Sequence, residues 1–346
     1  MTPNVVTPIV ENKNFIKFSS KVEEKHEKLF GKYNFLWFRF DHELKYFNIW
    51  YLAFFHLGAL FGLLTFPYIQ KWKLVIFTIS YGSMAGFGVT GGVHRYFTHK
   101  SYKATKLMKI ILLICYAAAG HNRIFEWVRD HRVHHKFSET DADPHNSNRG
   151  FFFSHIGWLM MKKHPDVIKK GATVDMSDIK NDPIVVWYDK NFSRIQFFFC
   201  FLLPTLLVRF WMGESWYWAI LTQVFARYVI AINGTWLVNS AAHLFGRKPY
   251  DKSIQPRENL FVSFMSVGEG WHNYHHTFPW DYKASEYGRL NVTTFWLDLF
   301  AKFGLVYDRR SPSEELVKKV TAKCGDGTHK EYATYVTEEG EIRMIN

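Results

Sequence analysis

Apolar residues are concentrated in two long stretches early in the chain and in two weaker stretches later. No Asp, Glu, Lys or Arg occurs over residues 46–70 or 74–94. A helix that crosses the hydrocarbon layer of a bilayer needs roughly 20 apolar residues, and each of these stretches supplies that length. Residues 195–208 and 215–246 are also apolar, with Arg227 as the one charged interruption of the second.

This pattern predicts an all-α integral membrane protein in which four transmembrane helices form two hairpins. Because the loops within the hairpins are short, both ends of each hairpin face the same side of the membrane. The apolar run over 107–119 contains Lys109 and is too short to span, so we predict an interfacial or buried cytosolic helix there. The predicted transmembrane helices cover approximately 48–69, 74–94, 195–213 and 216–239.

Positive charge lies almost entirely outside these helices. Of the 43 lysines and arginines, 39 fall within residues 1–45, 95–194 and 240–346. Lys and Arg accumulate on the cytosolic side of membrane helices, so all three segments are predicted to be cytosolic. We predict an N-terminal segment over 1–45, a main domain over 46–310 whose cytosolic cap comprises 95–194 and 240–310, and a C-terminal tail over 311–346.

Composition excludes several other classes of protein. The chain of 346 residues is 48% hydrophobic and 21% charged, which does not fit a disordered chain. Its three cysteines, Cys115, Cys200 and Cys324, are far apart, which argues against a disulfide framework or a zinc ribbon. The net charge of +12 is explained mostly by topology and contact with an anionic membrane surface, and binding of an anionic substrate is a second use. No nucleic-acid-binding signature is present, so we expect no nucleic acid partner.

The spacing of the histidines is the main indication of what chemistry the protein performs. HRVHH over 131–135 and HNYHH over 272–276 share the pattern H-x-x-H-H, which on a helix places three imidazoles within an arc of about 100°. His94 and His99 frame HRYFTH at the end of the second predicted span. Being five residues apart, they are expected to flank a cluster or to require an unwound helix end. His243, in NSAAH, is the natural ninth member.

Such a set of imidazoles without cysteine indicates metal binding. Neutral imidazole suits iron, copper and zinc, and one tetrahedral zinc ion would leave most of these side chains unused. Two metals are therefore predicted. Two redox-active irons beside a membrane suggest oxygen chemistry on a lipid, because breaking an unactivated C–H bond requires a metal centre rather than a side chain.

The order and spacing of HRYFTH, EWVRDHRVHHKFSETDADPHN, NSAAH and EGWHNYHHTFPWDY closely resemble the membrane-bound acyl-CoA desaturases of animals, particularly the insect delta-9 and delta-11 types. The resemblance extends over approximately residues 46–310. It implies a mushroom-shaped fold, with four transmembrane helices under a cytosolic helical cap that holds a di-iron site. It also implies the endoplasmic reticulum membrane with both termini cytosolic, molecular oxygen, and electrons from a separate cytochrome b5 with its reductase.

Carried over position by position, the resemblance implies ligands for two Fe²⁺ ions, with Asn239 acting through a water molecule. Glu126, Glu139, Asp141 and Asp143 lie near the second motif and are candidates to orient the imidazoles through hydrogen bonds. The predicted metal ligands are His94, His99, His131, His134, His135, Asn239, His243, His272, His275 and His276.

The same resemblance implies where the acyl-CoA binds. Lys and Arg side chains would pair with the phosphates of the CoA moiety, and aromatic side chains would line an apolar tunnel. Gly82 and Gly86 have the spacing of closely packed helices, and in the family this face borders the methyl end of the acyl chain. The residues placed near CoA are Asn122, Arg129, Asp130, Lys162 and Lys163, and those at the tunnel are Gly82, Gly86, Trp127, Thr235 and Trp236.

The predicted function is that of an oxidoreductase that introduces a cis double bond into a long-chain saturated acyl-CoA, at carbon 9 or 11. Tyr96, Phe97 and His121 depart from common family residues, which leaves the position of the double bond open. A membrane di-iron hydroxylase and an inactive paralogue are the alternatives within this chemistry. A non-catalytic metal-binding or haem-carrying membrane protein is the alternative of another class.

Overall fold

Helices make up most of the fold in this computed structural model, which describes residues 33–35, 38–40, 42–288, 290–331, 334–336 and 342–344. Much of the predicted N-terminal segment and the end of the predicted tail lie outside the described residues. Three small antiparallel pairs of strands are present in the described part of the chain. They pair β1 (Tyr33–Phe35) with β2 (Phe38–Phe40), β3 (Lys103–Ala104) with β4 (Val306–Tyr307), and β5 (Thr334–Val336) with β6 (Ile342–Met344).

The fold is built around six long helices. The helix over 216–239 is continuous, and three of the six contain π-helical turns, in which hydrogen bonds join residues five apart. The longest π-helical segment is Gly88–Thr98. The six helices are α1 (Tyr46–Thr65), α2 (Trp72–Thr98), α3 (Lys106–Ala119), α4 (Ile124–Phe137), α5 (Phe192–Trp211) and α6 (216–239).

Shorter helices lie between and after these six along the chain. One of them, Ser147–Arg149, is a 3₁₀ turn. We label His272–Thr277 as α7, because it carries the third histidine motif. The others are Phe153–Gly157, Trp158–Met160, Pro165–Gly171, Ser177–Lys180, Pro183–Lys190, Ala241–Leu244, Leu260–Met265, Val292–Lys302 and Glu314–Cys324.

Within the described residues, three helices are long and apolar enough to cross a membrane, namely α1, α2 and α5. Helices α3 and α4 meet at 86° and together have the length and composition of one broken span. Helix α6 has the predicted bounds of the fourth span, but Gln223, Arg227 and Asn233 make it more polar. The count of four spans in two hairpins therefore stays a prediction.

The predicted helix ends differ from the observed ones for local reasons. Helix α1 ends at Thr65 rather than near residue 69, and Phe66 is extended with ψ of 128°. Phe66 is followed by Pro67, and helical backbone geometry is unfavourable for a residue that precedes a proline. Helix α2 continues to Thr98 instead of ending near residue 94, because the π-helical turns extend it through the first histidine motif.

The two interhelical loops lie side by side. Lys71 precedes α2 and Glu214 lies between α5 and α6, and their side chains form an ion pair at 2.5 Å. At the opposite ends of the helices, the backbone of Lys45 donates to Met160 O at 2.7 Å, and β3 pairs with β4. The segments that precede α1, connect α2 to α5 and follow α6 are thus joined by direct contacts.

Glycines allow the helices to approach closely. A Cβ on Gly58 of α1 would lie 2.3 Å from the ring of Phe225 on α6, and a Cβ on Gly62 would lie 3.5 Å from Leu221. A Cβ on Gly88 of α2 would lie 2.1 Å from the backbone nitrogen of Tyr116 on α3. The main buried cluster of apolar side chains joins α2, α3 and α4 at this contact.

We predict that Gly88→Ala destabilises the protein, because the added methyl group meets backbone atoms that cannot move away as a side chain can. Overpacking of this kind costs about 1–3 kcal/mol. Thermal unfolding of the purified protein measures the effect. Gly92→Ala is the matched control on the same helix, since its Cβ would lie 3.5 Å from Leu112 Cβ, an ordinary contact. Equal melting temperatures for the two variants would contradict the prediction.

Candidate metal centre and adjoining cavities

The first histidine motif lies on the π-helical end of α2. Because hydrogen bonds in a π-helix join residues five apart, His99 N donates to His94 O at 3.1 Å. The two imidazole centroids are 4.9 Å apart. The expectation was that these two histidines would flank a cluster or require the helix end to unwind. The second possibility agrees with the structure, because the π-helix winds less tightly than an α-helix and brings the two rings together.

The nine predicted histidines form two groups of side chains that could each hold a metal ion. In each group, one ligand atom per residue lies within 4.8 Å of all the others. Each H-x-x-H-H motif contributes to both groups, so the three imidazoles of one helix are divided rather than kept together. The first cluster consists of His94, His99, His131, His135 and His275, and the second cluster consists of His134, His243, His272 and His276.

Ring nitrogens converge at the centre of each cluster. In the first cluster, His275 Nε2 lies 2.9 Å from His94 Nε2 and 3.1 Å from His135 Nε2. In the second, His272 Nε2 lies 3.0 Å from His243 Nε2 and 3.1 Å from His276 Nε2. A neutral imidazole has only one N–H, so these contacts cannot all be good hydrogen bonds.

Three further ring nitrogens support metal binding. The Nε2 atoms of His99, His131 and His134 are buried and have no hydrogen-bond partner within the described structure. Buried polar groups are almost always paired, and an unpaired one calls for an explanation such as an ion. A cation at the centre of each cluster would satisfy these atoms, so the residues present fit two metal ions.

Protonation also favours metal binding. Burial lowers the pKa values of His272, His275 and His276 well below their ordinary range, and the neighbouring histidines lower them further. Burial and the neighbouring histidines also lower the pKa of His131 well below its ordinary range. These imidazoles are therefore neutral near pH 7, which is the form that binds metals.

Carboxylates orient three of the imidazoles. His94 Nδ1 lies 2.9 Å from Glu269 Oε2, and His134 Nδ1 lies 3.0 Å from Asp143 Oδ1. His243 Nδ1 lies 2.5 Å from Glu139 Oε1. Each contact places the proton on Nδ1 and leaves Nε2 free to face the cluster, an arrangement typical of metal-binding histidines.

Only two of the four acidic residues considered from the sequence make such contacts, namely Glu139 and Asp143. Asp141 instead lies near His164 and Asp166, and Glu126 occupies the first turn of α4, where a carboxylate complements the helix N-terminus. Glu269 was missed, although it stands three residues before His272 in the third motif. Its contact with His94 spans 175 positions of the chain, which motif spacing does not reveal.

A buried arginine holds Glu269 in place. Arg95, of which 1% is exposed, donates to Glu269 Oε1 at 2.5 Å, to Tyr282 O at 2.9 Å and to Thr294 Oγ1 at 3.0 Å. Burial alone would raise the pKa of Glu269, but Arg95 and His94 outweigh it and hold the pKa below its ordinary value. Glu269 is therefore ionised and can accept hydrogen bonds from both partners.

Two cavities meet beside the first cluster. One, of about 260 Å³, extends toward α1, and the other, of about 340 Å³, lies between α2, α6 and the helix Leu260–Met265. Both are lined by Trp127, His131, Thr235 and Asn239. We call them the α1 cavity and the α2 cavity. The shared residues show that the two cavities adjoin beside His131 of the first cluster.

The predicted tunnel residues all line these cavities. Trp236 faces the α1 cavity, and Gly82 and Gly86 face the α2 cavity. A Cβ on Gly82 would meet only Arg227 Cγ, at 3.8 Å, and one on Gly86 would lie 3.1 Å from Val267. Neither glycine serves the tight contact between helices that its spacing suggested, because that contact is made by Gly88.

The residues predicted near CoA lie in two places. Asn122 and Asp130 line the α1 cavity. Arg129 Nη2 donates to Asp130 Oδ1 at 2.9 Å, and Lys163 pairs with the other oxygen of the same carboxylate. Lys162 forms a 2.5 Å ion pair with Glu43, and both lysines line a third cavity of about 420 Å³.

Three histidines that received no metal role from the sequence lie close to the site. His145 lines the α1 cavity, and its Nδ1 lies 3.5 Å from Asp143. His155 bonds to Asn233 and Ser240 rather than to a cluster. His121 lines the α1 cavity, its Nε2 lies 3.3 Å from Thr235 Oγ1, and burial lowers its pKa to about 4. The structure thus adds neutral polar groups to the cavity walls.

Comparison with known proteins gives one consistent result. A family model described as fatty acid desaturase matches residues 70–292. The chain is 47% identical over 285 residues to an acyl-CoA Delta-9 desaturase of Acheta domesticus, covering 82% of this chain and 79% of that protein. A stearoyl-CoA desaturase of Homo sapiens is 47% identical over 284 residues, with the same coverage of both chains. An acyl-CoA Delta(11) desaturase of Trichoplusia ni is 48% identical over 285 residues, covering 82% of this chain and 81% of that protein.

We predict that Glu269→Gln weakens metal binding, because the neutral amide no longer stabilises the proton on His94 Nδ1. Loss of such an orienting contact typically lowers metal affinity by about 10- to 100-fold. Metal content after dialysis against a chelator measures the effect.

The control for this variant is Asp298→Asn, which alters a carboxylate that bonds Tyr282 and Arg309 away from both clusters. Gel filtration of each variant checks that the protein stays folded. If folded Glu269→Gln retained as much metal as the control, Glu269 would have no part in the metal centre.

Proposed function

Because the chain belongs to the fatty acid desaturase family, we propose that it is an acyl-CoA desaturase that introduces a cis double bond into a long-chain saturated acyl-CoA. The observation that carries the proposal is the junction of two apolar cavities beside a cluster of five histidines. The relatives named as acyl-CoA Delta-9, stearoyl-CoA and acyl-CoA Delta(11) desaturases support the same activity.

The two clusters hold two Fe²⁺ ions in this proposal. His94, His99, His131, His135 and His275 bind one ion, and His134, His243, His272 and His276 bind the other, with Asn239 acting through a water molecule. The donor set supports iron, since imidazole suits iron and neither cluster contains a cysteine. When bound, the irons supply the reduction of molecular oxygen that removal of hydrogen from an unactivated carbon requires.

The acyl chain occupies both cavities and bends at their junction. Trp127 and Thr235 line both cavities, so they hold the methylene groups that lie next to His131. The methyl end extends into the α2 cavity toward Gly82, and the thioester end lies in the α1 cavity near Asn122 and Asp130. An acyl chain that bends at this junction favours a cis product, because a cis double bond keeps the two halves of the chain at an angle.

The CoA moiety lies where the α1 cavity reaches basic side chains. Arg129 and Lys163 share the carboxylate of Asp130, which lines the α1 cavity, so they lie next to its wall with donors left for phosphate oxygens. Arg offers a bidentate fork and Lys a point charge. Lys162 adds a half-exposed positive charge, which contributes to attraction of the polyanion.

The overall reaction balances with one molecule of oxygen. Two hydrogen atoms leave adjacent carbons of the acyl chain, and two electrons and two protons are added, so that both oxygen atoms leave as water. The electrons come from cytochrome b5 with its reductase. We place the protein in the endoplasmic reticulum membrane with four spans and with both termini and the histidine clusters on the cytosolic side, in agreement with the distribution of positive charge.

The test is expression in a yeast strain that lacks its own desaturase, followed by fatty acid analysis with derivatisation of double bonds. We expect a new unsaturated fatty acid with a single major double-bond position, at carbon 9 or 11. Hydroxylated fatty acids would replace the proposal with a hydroxylase. No product from well-expressed, iron-loaded protein would contradict it.

We further predict that Gly82→Tyr shifts the preferred substrate to shorter acyl chains. The new side chain would fill the α2 cavity above Arg227, where the methyl end lies. Ile76→Tyr is the matched control, because Ile76 lies on the same helix, is 55% exposed and does not line either cavity. An unchanged distribution of product chain lengths for Gly82→Tyr would show that the methyl end lies elsewhere.

A further inference from the structure

A continuous chain of hydrogen bonds crosses helix α6 behind the cavities. Asn233 is its centre: its Nδ2 lies 3.0 Å from His56 Nε2 on α1, and its Oδ1 lies 3.0 Å from His155 Nε2. His155 Nδ1 in turn lies 2.9 Å from Ser240 Oγ, and His56 Nδ1 lies 2.8 Å from Leu52 O. Three separate parts of the chain are joined by these groups, of which only Ser240 belongs to one of the histidine motifs.

Backbone carbonyl oxygens, which can only accept, determine the direction of the hydrogen bonds that Asn233 and His56 make. Asn233 Nδ2 lies 2.8 Å from Val229 O, and a carbonyl oxygen can only accept, so the amide nitrogen must face that side. Asn233 Oδ1 therefore accepts from the N–H of His155 Nε2. In the same way Leu52 O accepts from His56 Nδ1, which leaves His56 Nε2 to accept from Asn233.

Ser240 forms the far end of the chain of hydrogen bonds. Burial lowers the pKa of His155, so the ring is neutral and its Nδ1 accepts from the hydroxyl of Ser240. Ser240 Oγ also donates to Trp236 O at 2.9 Å, and the same carbonyl accepts from Ser240 N at 3.1 Å, so the Ser240 hydroxyl is shared between Trp236 O and His155 Nδ1. The ring nitrogens of both histidines and the amide of Asn233 all have partners, so this partly buried network stiffens the structure around it.

The two imidazoles enclose an indole that lines the α1 cavity. Trp236 stacks on His56 with ring centroids 6.1 Å apart and planes at 16°, and meets His155 edge-on at 5.9 Å. Asn233, Trp236 and Ser240 lie three and four residues apart, so they share one face of α6. The adjacent face carries Thr235 and Asn239, which line both cavities.

We propose that His56, Asn233 and His155 form a clamp that positions Trp236 and the rotation of α6, and that this clamp determines which carbons of the acyl chain lie beside the first cluster. The inference rests on the proposed function. Its physical basis is that one helix supplies both the clamped face and the cavity wall. A rotation of α6 therefore displaces Thr235 and Asn239 at the bend, where a shift of one methylene changes the product.

Asn233→Ala and His155→Ala test the clamp in the yeast assay described above. Displacement of reacting groups by about 1 Å can cost as much as 100-fold in rate, so we expect the yield to fall roughly 10- to 100-fold. We also expect a second product whose double bond is displaced along the chain. Iron content should equal that of the unmutated protein, because none of these residues belongs to a cluster.

Two more variants distinguish a role in positioning Trp236 and α6 from a general role in the stability of the protein. His155→Gln keeps an N–H that can donate to Asn233 and should restore most of the single double-bond position. The double variant Asn233→Ala/His155→Ala should be no worse than either single variant, since residues of one network are not additive. Asn191→Ala is the control, as its amide bonds only Trp187 O within its own helical turn and should leave yield and position unchanged.

Folded, iron-loaded Asn233→Ala with one double-bond position and unchanged yield would overturn the inference. Loss of iron or of folded protein together with activity would also overturn it, because the role would then be structural. Failure of the proposed function is separately visible, since the unmutated chain would then make no unsaturated product at all.

Discussion

The convergence of nine imidazoles in two buried clusters is the constraint on which the rest of the structure depends. Neutral imidazoles that face one another with unpaired nitrogens are unfavourable in a low-dielectric interior. Here the Nε2 atoms of His99, His131 and His134 have no partner in the described structure. Cations at the two centres would satisfy these nitrogens, and the surrounding helices collect and orient the rings.

Three features of the fold bring the imidazole rings together and orient them. The π-helical end of α2 places His94 and His99 on one face. Gly88 lets α2 approach the backbone of α3, which brings the same end of α2 into the main apolar cluster. The ion pair between Arg95 and Glu269 then joins α2 to the segment before α7. Carboxylates on Nδ1 complete the arrangement by turning Nε2 inward.

The sequence predicted the histidine set, the helical class and the cavity walls, because these follow from residue types at regular spacing. It could not predict how the H-x-x-H-H motifs divide between two clusters, since that depends on how α4 and α7 pack. The contact between His94 and Glu269 joins distant parts of the chain, and the π-helix at His99 has no recognisable sequence signal. The number of spans is equally hard to read, because α6 combines membrane length with buried polar side chains whose partners only the fold reveals.

The measurement that tests this account most directly is the metal content of the purified full-length protein, by elemental analysis of protein from iron-supplemented cells. The account predicts two irons per chain and no stoichiometric zinc. It also predicts that replacing His276 by alanine, in the second cluster, leaves one iron per chain in folded protein. A single metal ion in the unmutated chain, or zinc in place of iron, would contradict the claim that the two clusters form a di-iron centre.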